Sequence, residues 1–124
     1  MRSKKWLLTL SLSLLLVLTL AGCGQQRDTS VKKIQDKKVL VVGTEADFAP
    51  FEFPVIKNGQ KQITGYDIYI ARRIAKKLGV KLEVQNTTFS SLITDLNQNK
   101  VDIVMAGMTD TPAREKSVAF SMGY

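Results

Sequence analysis

The chain has 124 residues, with 18 Lys and Arg residues against 11 Asp and Glu residues, so its formal net charge is +7. It has no histidine and one cysteine, which excludes a Cys/His zinc site, a Ser-His-Asp or Cys-His catalytic group and an intramolecular disulfide. The excess positive charge lies within the first 40 residues. The remaining body is nearly neutral and has no basic stripe with interleaved aromatic residues, so nucleic acid is not expected as a partner.

An export signal opens the chain. Arg2, Lys4 and Lys5 precede a Leu-rich stretch over residues 6–21, which is too short and too interrupted by Ser and Thr for a transmembrane helix. The stretch ends in Leu-Ala-Gly-Cys, which resembles a bacterial lipobox with Cys23 as the lipidated residue. The alternative is an ordinary signal peptide with an incidental cysteine. The expected organisation is a lipoprotein signal peptide over 1–22, a flexible tether over 23–37 and a folded domain over 38–124.

The body begins with signals for β structure. Residues 39–42 are a continuous apolar run, typical of a strand buried on both faces. A loop rich in Phe follows over residues 44–53. Residues 54–63, with Asn58 and Gly59 at their middle, predict a hairpin with a tight turn.

Helices and strands then alternate. Thr64 and Asp67 form a capping box in front of an amphipathic helix over 66–78, which Gly79 is expected to end. The later segments predict, in order, a strand over 80–85, a helix from 89 that ends near 97–99, a strand over 101–105 and a short helix opened by Thr111 and Pro112.

This order predicts an α/β fold with a mainly parallel sheet and right-handed crossovers. Ligands of such sheets bind beyond the carboxyl ends of the strands, where the loops over 43–53 and 106–110 are expected. No phosphate-binding loop motif occurs, so no nucleotide cofactor is expected, and no metal either.

Five side chains around these loops are candidates for ligand binding. Arg114, in the first turn of the last helix, could hold a carboxylate with help from Thr109, or it could be a solvated arginine. Phe48 and Phe89 could sandwich a ligand side chain, or both could be core residues. Glu45 could meet a cationic or amide-bearing tail, or it could be solvated.

Three further acids are expected to take no part in binding. Asp47 and Glu52 are predicted to be solvated. Asp102 interrupts a predicted buried strand and is expected to bond backbone groups.

Several motifs follow one another without large gaps over residues 39–124. They are GTEADFAPFEF from Gly43, GYDI from Gly65, KLGV from Lys77, VDIVMAGMT from Val101, TPAR from Thr111 and the segment from Phe120 to Tyr124. As an ordered set they resemble the family 3 extracellular solute-binding proteins, the polar amino acid receptors of ABC importers. The resemblance implies the first lobe of a type II periplasmic-binding-protein-like fold, incomplete at Tyr124, with a second lobe that closes over the ligand.

The resemblance also implies a site for a free amino acid. An arginine and a hydroxyl would hold the α-carboxylate, backbone groups would contact the head group, two aromatic rings would flank the side chain and an acid would meet its tail. The arginine is Arg114 and the hydroxyl is that of Thr109. The backbone groups are those of Ala106 and Gly107. The rings are those of Phe48 and Phe89, and the acid is Glu45. The family more often has Asp at the position of Glu45.

The implied function is the substrate-binding component of an amino acid ABC importer. It would capture a polar amino acid, with Glu45 favouring a basic or amide-bearing one, at the extracytoplasmic face of a bacterial membrane and deliver it to permease subunits. It would need no cofactor and catalyse nothing. The alternatives are an enzyme on the same fold, either a dehydratase or a lyase with Glu45 as its acid, a sensor domain, and a non-functional truncated remnant.

Overall fold

The computed structural model describes residues 29–124. The expected signal peptide, Cys23 and the first part of the expected tether lie outside the described residues. The elements are α1 (Ser30–Lys37), β1 (Val39–Thr44), β2 (Phe53–Lys57), β3 (Gln60–Thr64), α2 (Tyr66–Leu78), β4 (Lys81–Asn86), α3 (Phe89–Asn97), β5 (Ile103–Val104) and α4 (Pro112–Glu115).

Three parallel strands form the main sheet in the order β4-β1-β5, which confirms the predicted α/β class. The central strand β1 pairs with β4 along its whole length and with β5 near its carboxyl end. Leu40 and Val42 of β1 are fully buried, as expected for a strand covered on both faces. The parallel arrangement brings the loops that follow all three strands to one edge of the sheet.

The structure corrects the prediction of a flexible tether up to residue 37. Ser30–Lys37 forms the helix α1, and Ile34, only 7% exposed, packs in the core with Leu40, Ala71 and Met105. Because only one apolar residue of α1 is buried, its sequence shows no periodic apolar pattern. The sequence of α1 therefore resembles that of a polar linker.

The hairpin β2–β3 and the helix α2 both form where they are predicted. Asn58 and Gly59 make the two-residue turn with positive φ angles of 52° and 75°, the geometry that hairpin turns prefer. Gly79 ends α2 in the left-handed conformation. Within residues 29–124, no helix combines the length and the apolar character needed to cross a membrane.

The N-cap of α2 differs from the prediction. Thr64 is the last residue of β3 and Gly65 is the N-cap, without a side-chain capping bond. Gly65 has φ of 130°, and a Cβ there would collide with the carbonyl of Phe51. The close approach of this loop, rather than a hydroxyl cap, therefore determines how the helix begins.

Asp102 has the predicted structural role. Its carboxylate accepts a hydrogen bond from the Val41 N–H at 2.7 Å and pairs with Lys37 Nζ at 2.6 Å. Because this side chain takes the place of a strand carbonyl, β5 covers only Ile103–Val104, which is shorter than the predicted 101–105.

Candidate functional site

A pocket of about 230 Å³ opens at the carboxyl edge of the sheet. The loops after β1 and β5 and the start of α3 surround it. Its lining residues are Glu45, Asp47, Phe48, Glu52, Phe89, Ala106 and Gly107. Five of the seven residues predicted for the ligand site thus lie together, since the ends of parallel strands converge at one edge. The other two, Thr109 and Arg114, lie beside the pocket.

The two aromatic rings line the pocket rather than the core. Phe48 is 52% exposed and stacks on Phe51, with 5.4 Å between ring centroids. Phe89 is the first residue of α3 and is half-buried. The alternative that both are core residues fails for Phe48, so a hydrophobic surface is available to a ligand.

Arg114 is held against the aromatic wall. Its guanidinium lies 5.2 Å from the centroid of the Phe89 ring and donates one hydrogen bond to the Thr109 carbonyl at 2.8 Å. The Thr111 hydroxyl accepts the Arg114 N–H at 3.3 Å, and Pro112 opens the helix, as predicted. A guanidinium has five N–H donors, so this one can still bind a carboxylate.

The loop that carries Phe48 is fixed to the start of α2. Phe48 and Glu52 exchange backbone hydrogen bonds of 2.9 and 3.0 Å, which closes a tight turn. The first N–H groups of α2, from Tyr66 and Asp67, donate to the carbonyls of Pro50 and Phe51 at 3.0 Å. The free N–H groups of a helix N-terminus are thereby satisfied by this loop.

Two carboxyl groups are buried at this junction. Glu52 is 1% exposed and Asp67 is 0% exposed, so the prediction that Glu52 is solvated is wrong. Burial and then the neighbouring Asp67 raise the pKa of Glu52 from 4.5 to about 8. The Gly107 N–H donates a long hydrogen bond of 3.4 Å to Asp67 Oδ2. Sequence reasoning missed Glu52 because it lies in a loop; its position between Phe51 and Phe53 was the available signal.

The chemistry of the pocket suits a cation flanked by aromatic rings. Glu45 and Asp47 line the pocket and bring acidic groups to it, while Phe48 and Phe89 offer flat apolar surfaces. Within residues 29–124, no three His, Cys, Asp or Glu side chains are grouped so as to hold a metal ion.

One protein-family model matches most of the described residues. The model described as bacterial extracellular solute-binding proteins, family 3, matches residues 40–124. The chain belongs to this family. The match covers the same region as the motifs and confirms the resemblance drawn from them, and the family's description makes it an extracellular one.

Similar proteins include arginine-binding ones. The arginine-binding extracellular protein ArtP of Bacillus subtilis is 44% identical over 121 residues, covering 98% of this chain and 44% of ArtP. The structure of the arginine-bound form of domain 1 from TmArgBP, the arginine-binding protein of T. maritima, is 42% identical with a TM-score of 0.68. That match covers 74% of this chain and 71% of the other. The chain thus spans less than half the length of ArtP.

The proteins similar to this chain also include an enzyme. Cyclohexadienyl dehydratase of Pseudomonas aeruginosa is 31% identical over 109 residues, covering 88% of this chain and 40% of the enzyme. The majority of the similar proteins are named as binding proteins, and some of these are named for arginine, histidine or cystine. Binding without catalysis is thus the commoner role among them.

Proposed function

We propose that this chain supplies a lobe of an amino acid receptor that captures arginine, or a similar cationic amino acid, and delivers it to the permease of an ABC importer. The observation that carries the proposal is an acidic pocket with aromatic walls, directly beside Arg114. The relatives named as arginine-binding support the choice of ligand.

The head group of the ligand lies toward Arg114 in this proposal. The guanidinium binds the α-carboxylate, the Thr109 hydroxyl adds a second donor, and the backbone at Ala106 and Gly107 contacts the head group. A charge-assisted hydrogen bond of this kind contributes about 1.5–3 kcal/mol. Because Arg114 is already oriented by Thr109, little side-chain entropy is lost on binding.

The cationic tail of the ligand lies between Phe48 and Phe89 and points to Glu45. A planar guanidinium can stack on aromatic faces while its N–H groups bind a carboxylate. Glu45 reaches one methylene further than the Asp more usual at this position. Because Glu45 is longer, it favours a ligand whose cationic group stays close to the two aromatic rings.

Titration calorimetry of the protein with arginine, lysine, glutamine and glutamate tests the proposal. Arginine should bind best and glutamate worst, because the pocket is acidic. Arg114→Ala should weaken arginine binding about 10- to 100-fold with an unchanged melting temperature. Arg72→Ala, an exposed arginine on α2, is the matched control and should bind as the parent does. Equal affinity for arginine and glutamate, or full affinity in Arg114→Ala, would contradict the proposal.

The dehydratase relative makes an enzyme the second candidate. Such an enzyme needs a general acid or base in the pocket, and Glu45 and Glu52 are the available acids other than Asp47. Incubation with a prephenate-like substrate, followed by absorbance, distinguishes the two functions. We expect no turnover above that of a Glu45→Gln, Glu52→Gln double variant.

We further propose that residues 1–22 are a lipoprotein signal peptide and that Cys23 carries the lipid, so that the lobe is tethered to the extracytoplasmic face of the membrane. The single cysteine at the lipobox position supports this. Several acyl chains on one residue provide stable anchoring. In expressing bacteria, Cys23→Ser should abolish labelling by a palmitate analogue and move the protein out of the membrane fraction. Unchanged labelling would refute the anchor.

A further inference from the structure

The buried carboxyl pair, Glu52 and Asp67, lies where the two loops of the pocket meet the start of α2. Glu52 belongs to the turn that presents Phe48, and Asp67 belongs to the first turn of α2. The Asp67 carboxylate also accepts from Gly107, in the loop after β5. Two side chains thus connect the loop after β1, a helix start and the loop after β5.

The pair has two orphaned oxygen atoms. Glu52 Oε2 and Asp67 Oδ1 are buried and have no hydrogen-bond partner among the described residues. Two ionised carboxylates offer only acceptors, and an unsatisfied buried acceptor is costly. The two side chains lie within hydrogen-bonding reach of one another. A single proton makes one of them a donor and gives the other its missing partner.

The surroundings of the pair supply no compensating cation. Asp47, in the same loop, adds a further negative charge near Glu52, and Tyr124 lies near Asp67. Burial and the nearby Asp67 raise the pKa of Tyr124, so its hydroxyl is neutral and adds no charge to the site. Tyr66 packs against Tyr124, with ring centroids 6.0 Å apart. None of the ion pairs within residues 29–124 includes either member of the pair.

We propose that Glu52 and Asp67 share one proton and that this shared proton holds Gly107 in position, so that the affinity of the pocket depends on the protonation of the pair. Glu52 is therefore a positioning residue that acts through Asp67 and the Gly107 backbone. When the proton is lost, two negative charges face each other in a buried site and repel. The turn at Phe48 and the loop at Gly107 then separate. The part of this inference that concerns affinity rests on the function proposed above.

The binding test compares pH 7 with pH 9. Near pH 9 only about a tenth of Glu52 keeps its proton if it titrates at about 8, so affinity should fall about tenfold if only the protonated form binds. Glu52→Gln keeps a hydrogen-bond donor but cannot titrate. Its affinity should therefore fall about tenfold less than that of the parent between pH 7 and pH 9. The readout is the ratio of Kd values at the two pH values within each variant. Titration of the ligand itself affects both variants equally and therefore cancels.

Two ligands separate repositioning from simple charge attraction. Loss of the pocket geometry weakens both arginine and glutamine, whereas added negative charge alone would strengthen arginine. Glu83→Gln, an exposed acid on β4, is the control and should match the parent ratio. Identical ratios in the parent and Glu52→Gln, or stronger arginine binding at pH 9, would overturn the proposal.

Carbon-13 NMR of the ligand-free protein tests the shared proton without any ligand. The carboxyl carbon of Glu52 and the Cα of Gly107 should titrate together near pH 8, and Glu52→Gln should abolish the Gly107 transition. A Gly107 signal that is the same in both proteins would overturn the proposal. Coupled titration without amino acid binding would instead refute only the proposed receptor function.

Discussion

Gly107 is a position where the backbone conformation favours glycine and a side chain would crowd the ring of Phe48. Its φ is 55°, and a Cβ there would lie 3.0 Å from the ring of Phe48. Gly107→Ala is expected to displace this ring from the pocket wall. Calorimetry should show arginine affinity reduced about twofold to tenfold, because an aromatic contact contributes about 0.5–1.5 kcal/mol.

Gly59 provides the matched control for this substitution. It has φ of 75° in the hairpin turn, and a Cβ there would meet nothing within 4 Å. Gly59→Ala thus carries a similar backbone cost of about 1–2 kcal/mol but should leave arginine affinity unchanged. If both variants lose the same affinity, Gly107 acts only through global stability.

The role of a residue can be predicted from the sequence where a local sequence pattern determines which groups its side chain contacts. Arg114 and Thr111 follow a helix-start pattern, and the structure has the predicted cap. Glu52 fails because its burial depends on the turn that joins it to Phe48 and on the docking of that turn onto α2. These contacts lie between segments, and a loop acid carries no local sign of them.

At the scale of elements, α1 is the segment that was predicted wrongly, and its packing can be tested. Ile34→Ala should lower the free energy of unfolding by about 2–5 kcal/mol, since it removes a buried side chain from the core. Val31→Ala, in the same helix but 50% exposed, should change it by about 0.5 kcal/mol or less. Urea denaturation measures both. Equal small effects would mean that α1 is not part of the cooperative fold.

The other elements show what periodicity can and cannot predict. The helix α2 and the hairpin β2–β3 combine a repeating apolar pattern with a defined stop or turn, so both were predicted with nearly correct bounds. The N-cap of α2 was wrong because the docked loop, rather than a local hydroxyl, satisfies its N–H groups. The strand β5 is short because Asp102 bonds the neighbouring backbone.

At the scale of the whole molecule, topology accounts for most of the candidate site. A parallel sheet with β1 at its centre places the loops after β1 and β5 side by side, with the start of α3 beside them. The predicted residues on these loops therefore meet although they lie far apart in sequence. What topology does not determine is the burial of Glu52 and Asp67, which lie where the loop after β1 docks onto the start of α2.

Glu52 is expected to make the stability of the whole molecule depend on pH. The pKa of Glu52 is raised from 4.5 to about 8 in the folded protein, so the folded state binds a proton that the unfolded state releases. The stabilisation is therefore complete below pH 4.5 and is lost as the pH rises toward about 8. Urea denaturation should show the free energy of unfolding falling across this window by at most about 1.4 kcal/mol per pH unit.

Glu52→Gln removes the titrating group while keeping its shape, so this part of the pH dependence should disappear. The variant should be more stable than the parent at pH 8, where the parent has lost the contribution, and the two should converge as the pH falls below 4.5. Glu83→Gln removes an exposed acid on β4 and should follow the parent curve. If all three proteins lose stability in parallel between pH 5 and pH 8, Glu52 is not the group responsible. The proton would then have to be assigned elsewhere in the fold.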